Sequence, residues 1–125
     1  MRRHHKAFVS GDREGALEPL DPEVEFVFPA LFEFPAARGH AELDKAMRQW
    51  MGTWMPGTYR FEPKEYDDLG DKVLVRYIEH GVGRTSGVEV TREAFQLWDM
   101  HNGKAIRLQV FEDRQEALEA VGLRE

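Results

Sequence analysis

The chain contains no cysteine, which removes disulfides, thiolate zinc sites and cysteine nucleophiles together. It has no long apolar run either. The longest, Phe26 to Phe32, is far shorter than the roughly 20 residues that span a bilayer, so no membrane partner is expected. A basic surface is also missing: the formal net charge is -6. Phosphate backbones are held by Lys and Arg, so nucleic acid is not an expected partner. The basic opening, Met1-Arg2-Arg3-His4-His5-Lys6, is local and reads as a solvated helix start. No apolar stretch of the signal-peptide kind follows it, and with the lack of cysteine this points to a cytoplasmic protein. The histidines at 4, 5, 40, 80 and 101 show no metal-ligand spacing, so neither a metal nor a cofactor is expected. Without repeats, low-complexity tracts or a dividing linker, residues 1–125 read as a single domain.

What is present is clear punctuation. Residues 2–10 suit a short helix with Ala7 and Phe8 turned inward, stopped by Ser10-Gly11-Asp12. Asp12 caps a second short helix through Leu17, with Leu20 tucked beneath. From Pro22, Val24, Phe26 and Phe28 alternate with other residues as in a strand. A greasy loop, Pro29 to Arg38, follows. The longest helix, His40 to Trp54, carries Leu43, Met47, Trp50 and Trp54 on one face. Strands are predicted at Tyr59–Tyr66, Lys72–Gly83, Val88–Met100 and Ala105–Phe111. Asp113-Arg114-Gln115-Glu116 then opens a closing helix. Helices first and hairpin-linked strands after give an α+β fold, with helices on one face of an antiparallel sheet.

This order, with Ser10-Gly11-Asp12, Asn102-Gly103-Lys104 and the ending Phe111-Glu112-Asp113-Arg114-Gln115-Glu116-Ala117-Leu118, resembles the nuclear transport factor 2-like superfamily. Within it the likeness is to the SnoaL-like polyketide cyclase branch. The resemblance implies a cone-shaped, curved antiparallel sheet wrapped around N-terminal helices, a pocket between the two, and a homodimer. Fold alone does not select a function among the isomerases, hydrolases, cyclases and binding modules that share it. Ketosteroid isomerase carries its general-base aspartate before a proline, where this chain has Phe28-Pro29. That enzyme's oxyanion tyrosine and protonated aspartate fall near His4 and Gln96, and the strand aspartate of limonene epoxide hydrolase falls near Val110. Neither reaction is expected here, because Phe28 and Val110 cannot move a proton.

The same alignment turns Gln96 inward, and Arg92, Ala94 and Trp98 follow by strand alternation. A turn that pairs Thr85 with Ser86 sets Tyr77 opposite Ala94 and Glu79 opposite Arg92. A shift of one residue instead brings Arg76 and His80 inward. The expected pocket residues are Phe28, Trp50, Trp54, Tyr77, Arg92, Gln96 and Trp98. Glu79 is the acid/base candidate, replaced by His80 if the register shifts. An apolar wall favours a protonated carboxyl suited to proton transfer, whereas Arg92 favours the carboxylate. Glu79 therefore reads either as acid/base or as a rim ion pair with Arg92. Three functions stay open: a proton-transfer enzyme of cyclase or isomerase type on a small carbonyl compound, a non-catalytic small-ligand-binding module, and a dimeric interaction domain. Phe95 and Leu97, opposite in direction to Gln96, form the apolar strip expected to carry the two-fold dimer.

Overall fold

A computed structural model describes residues 1–27 and 36–122. The first helix, α1 (Arg2–Ser10), ends where Gly11 takes the left-handed conformation at φ 79°, which a residue without Cβ adopts at no steric cost. Asp12 then caps α2 (Arg13–Leu17) by accepting the Gly15 amide. Strand β1 (Leu20–Val27) buries Leu20, Val24 and Phe26. It leads by way of a two-residue strand, β2 (Ala37–Arg38), to α3 (Gly39–Gly52). Strands β3 (Arg60–Asp68), β4 (Lys72–Val82), β5 (Glu89–His101) and β6 (Lys104–Phe111) follow, and α4 (Arg114–Ala120) closes the described chain.

The six strands form one open sheet in the order β2-β1-β6-β5-β4-β3. Hairpins make its right half antiparallel, but β1 runs parallel to β6, so the sheet is mixed rather than wholly antiparallel. The chain reaches β6 from β1 only after five intervening elements, too long a path for sequence spacing to reveal. Pro63 lies in the edge strand β3 beside a bulge, a place where a missing N–H costs no ladder bond. The β5–β6 hairpin turns on Asn102 and Gly103, both at positive φ, the pair that a tight two-residue turn favours.

Along β5 the side chains split cleanly by parity. Ala94, Gln96 and Trp98 face the helices, where Trp98 joins a core with Leu20, Val24, Phe26 and Leu43. Phe95 and Leu97 face the other way and are fully covered, with Leu74, by Ala117, Leu118 and Val121 of the α4 region. This corrects the expected dimer strip. The apolar outer residues are sealed by the chain's own last helix and leave no patch for a partner there.

Helix α3 also stops short of its expected end. Thr53 turns its hydroxyl onto the Trp50 carbonyl at 2.6 Å, and Trp54 leaves the helix to form a β-bridge with Gly83. The ring of Trp54 lies so close to Gly81 that a Cβ there would sit 2.4 Å from it. Gly81 is the gap that seats this tryptophan.

Candidate functional site

Between the inner sheet face and helices α1 and α3 lies a cavity of about 90 Å³. Phe8, Phe26, Trp50, Tyr59, Phe61 and Tyr77 supply most of its wall, and Met47, Leu108 and Val110 fill between the rings. Two polar groups sit in this apolar lining. One is built on β4 and β5, the other on α1 and β5.

The first is centred on Glu79. The register pairs Tyr77 with Ala94 and Glu79 with Arg92, as the direct Thr85–Ser86 turn implies. Glu79 is buried, 3% exposed, and accepts three donors. Arg92 Nε reaches Oε1 at 2.8 Å and its Nη2 bonds the same oxygen, while the Tyr59 hydroxyl donates to Oε2 at 2.8 Å. Arg92 extends outward to Glu112 at 2.8 Å. Burial, and then the Glu79 charge, raise the Tyr59 phenol well above the usual tyrosine range. Burial likewise raises Tyr77, which also bonds Arg92. Both phenols therefore keep their protons. A guanidinium and a phenol thus satisfy the buried carboxylate by hydrogen bonds. His80 lies on the opposite parity, against Thr91 Oγ1 at 3.2 Å and near Glu62 at 3.5 Å, so it does not enter the cavity.

The second group was not read from the sequence. His4 and His5 are buried, at 5% and 3% exposure, not solvated. His5 Nδ1 lies 2.7 Å from the Tyr66 hydroxyl and its Nε2 lies 2.7 Å from Gln96 Oε1, which also receives the Trp98 indole N–H at 3.0 Å. An indole N–H can only donate, so the amide atom facing it is the oxygen. That oxygen can only accept, so His5 Nε2 carries the proton. His5 Nδ1 then holds the lone pair that accepts the Tyr66 O–H. One donor-only group thus fixes the direction of the whole chain, and the Gln96 amide nitrogen is left without a partner among the described residues. His4 is simpler: its Nδ1 donates to the Ala16 carbonyl at 2.6 Å. Burial depresses both rings, His4 to about 4 and His5 to about 3. Each is neutral at physiological pH.

Of the expected pocket residues, Trp50, Tyr77, Arg92 and Gln96 line the cavity together with Glu79. Two do not. Trp98 is fully buried one layer beneath, where it packs on His4 with ring centroids 5.1 Å apart and orients Gln96. Trp54 stands behind the wall, edge-on to Trp50 and tilted against Tyr59 with ring centroids 5.5 and 5.6 Å away, because its backbone has left α3 for the sheet. Phe28 lies outside the described residues. The signal for the missed histidines was helical spacing: His4, Ala7 and Phe8 are three and four residues apart and share the inward face. Among the described residues no cluster of side chains is arranged to hold a metal, and no helix is long and apolar enough to cross a membrane.

Comparison with known proteins places this architecture. TerC, co-crystallised with polyporic acid, is 25% identical with a TM-score of 0.78, over 97% of this chain and 94% of that one. A nuclear transport factor 2-like protein of Burkholderia thailandensis is 21% identical with a TM-score of 0.82, over 96% and 92%. A Catenulispora acidiphila protein with a ketosteroid isomerase-like fold, in complex with trimethylamine, is 10% identical with a TM-score of 0.77, over 98% and 92%. The likeness to the last two is one of fold. No curated protein matches the chain. The profile of the SnoaL-like domain matches residues 1–108, most of the length, and the chain belongs to that family.

Proposed function

We propose that this SnoaL-like domain binds a small, flat, carbonyl-containing molecule in the aromatic cavity, with the Gln96 amide N–H holding the carbonyl oxygen. The observation that carries this reading is the hydrogen-bond chain from Trp98 through Gln96 to His5 and Tyr66. It uses up the amide oxygen and leaves only donors for a ligand, and a carbonyl accepts. Tyr77, kept protonated by burial, is a second donor, and Trp50 with its neighbouring rings supplies a face for a flat molecule. At about 90 Å³ the cavity is smaller than the roughly 150 Å³ that takes benzene, so entry requires a side chain to move. Phe8 is placed to do so. It lines the cavity and also two outer hollows of about 330 and 310 Å³.

Glu79 is read as the structural partner of Arg92, since its oxygens already accept three donors. That same engagement favours a second reading, a binding module without turnover. A homodimer stays part of the proposal on the family likeness, no longer on Phe95 and Leu97.

The test is a panel of acetophenone, 1,4-naphthoquinone and polyporic acid, followed by tryptophan fluorescence and by melting temperature. Binding should quench Trp50 and raise the midpoint by mass action. Gln96→Leu should weaken it about tenfold, the worth of one hydrogen bond. A panel with no ligand, or ligands indifferent to Gln96→Leu, would sink the reading.

A further inference from the structure

The titratable groups that line the cavity differ in what they have left to offer. Glu79 accepts three donors. The Tyr59 proton is committed to Glu79. Arg92 is shared between Glu79 and Glu112. His5 has both ring nitrogens bonded. Tyr77 keeps an O–H to donate, and His4 keeps a lone pair to accept with. Its Nδ1 gives its proton to the Ala16 carbonyl, 2.6 Å away across the α1–α2 contact, so in the neutral ring the lone pair sits on Nε2. That atom has no hydrogen-bond partner among the described residues. The ring lines the cavity, is held between Phe8 and Trp98 at centroid distances of 6.4 and 5.1 Å, and lies 5.3 Å from His5.

We propose that His4 is the acid/base of this site, its Nε2 taking a proton from the carbon beside the bound carbonyl and returning it. The inference rests on the carbonyl-ligand reading above. In the step the C–H bond breaks, its electron pair forms the enolate C=C, and the carbonyl π pair moves onto the oxygen. The proton goes to His4 Nε2, giving an imidazolium, and the oxyanion is held by the Gln96 amide N–H. Return of the proton to carbon or to oxygen restores the neutral ring, so no co-reactant is consumed. A backbone carbonyl on Nδ1 fixes the tautomer and the ring orientation, the role that a second partner plays for a working histidine. Burial holds the ring neutral and ready to accept. It also makes the ring a weak base, which restricts it to carbon acids that are already activated. Glu79 keeps one lone pair on Oε2 but lacks the freedom to turn, because Arg92 holds Oε1 and Tyr59 holds Oε2.

Two measurements test this. Nitrogen-15 shifts of the imidazoles in the unsubstituted protein read the tautomer with no ligand present. His4 should show a protonated Nδ1 and a bare Nε2 at pH 7. A protonated Nε2 overturns the assignment whether or not any carbonyl compound binds. The second probe is 5-nitrobenzisoxazole, a flat ring that needs only a base. Removal of its C3 proton breaks the N–O bond and yields 2-cyano-4-nitrophenolate, read by its absorbance. The bound probe should react with a rate that His4→Asn, which keeps the donor to Ala16, lowers by roughly 10²–10⁴-fold without weakening binding, the range for loss of a general base. Equal rates in the two proteins, or no reaction in a probe shown by fluorescence to be bound, overturn the proposal. A probe that fails to bind counts against the ligand reading instead, and the nitrogen shifts then decide His4 alone.

Discussion

The two polar groups of the cavity solve one problem in opposite ways. Around Glu79 the charges are kept and cancelled: a buried carboxylate, a guanidinium and a phenol proton satisfy one another. Around His5 the charge is never formed. Burial keeps the imidazole neutral, and a run of neutral donors and acceptors from Trp98 to Tyr66 engages both His5 nitrogens and the Gln96 oxygen, leaving the Gln96 NH2 unused among the described residues. A self-neutralised ion pair has little left to give a ligand. A neutral chain that ends on an unused N–H still has a hydrogen bond to offer. The contrast teaches that the most charged corner of a pocket can be its scaffold.

Acid should break the histidine end first, and this is the largest effect expected. His4 and His5 take up protons at about 4 and 3 in the fold against 6.5 for a free imidazole. The unfolded chain therefore binds more protons than the native one below pH 6.5. The stability these neutral rings confer is present above that pH and drains away as pH falls toward 4. At about 1.4 kcal/mol per pH unit for each ring, the loss by pH 5 is roughly 4 kcal/mol. Denaturant titrations between pH 7.5 and 4.5 should show this slope, and His5→Gln should halve it. A flat profile would show that the rings are not buried neutral.

Removing one partner tests the carboxylate end. Glu79→Ala leaves Arg92 half inside without its main counter-ion and should cost about 3 kcal/mol, measured by the denaturation midpoint. Replacing the pair together, as Glu79→Leu with Arg92→Met, should recover most of that loss. If the single and double changes cost the same, the two charges are not coupled. The smallest effect sharpens the distinction. Tyr66→Phe removes the O–H that His5 Nδ1 accepts and should cost about 1 kcal/mol, with the His5 tautomer no longer held at that end. Nitrogen shifts at His5 that do not respond would mean Tyr66 is not its partner.

Much of the scaffold was legible in the residues. Gly11, Asp12, Asn102-Gly103 and Asp113 mark turns and caps by local stereochemistry, and α1, α2 and α4 begin or end there. The β4–β5 register was legible as two alternatives at one turn, since period-two alternation carries a choice at the hairpin along the whole strand, and the structure has the direct pairing. From that follow Tyr77, Glu79, Arg92 and Gln96 on one face. The histidines were legible only in part. Their spacing matched the inward stripe of α1, but a run of Arg, His and Lys reads as solvated until something is known to cover it.

What the tertiary structure alone decided is who covers whom. Phe95 and Leu97 were apolar and outward by parity, yet whether a second protomer or α4 sealed them depended on where residues 114–120 came to rest. The same holds at the site. Alternation set the direction of Trp98, but its depth beneath Gln96, and hence the orientation of the amide, came from the packing of His4 and Phe26 against its ring. Local sequence determines backbone direction through short-range sterics and periodicity. Burial, and the protonation states that follow from it, depends on residues far apart in the chain: Tyr66 and Gln96 meet His5 across separations of 61 and 91 positions.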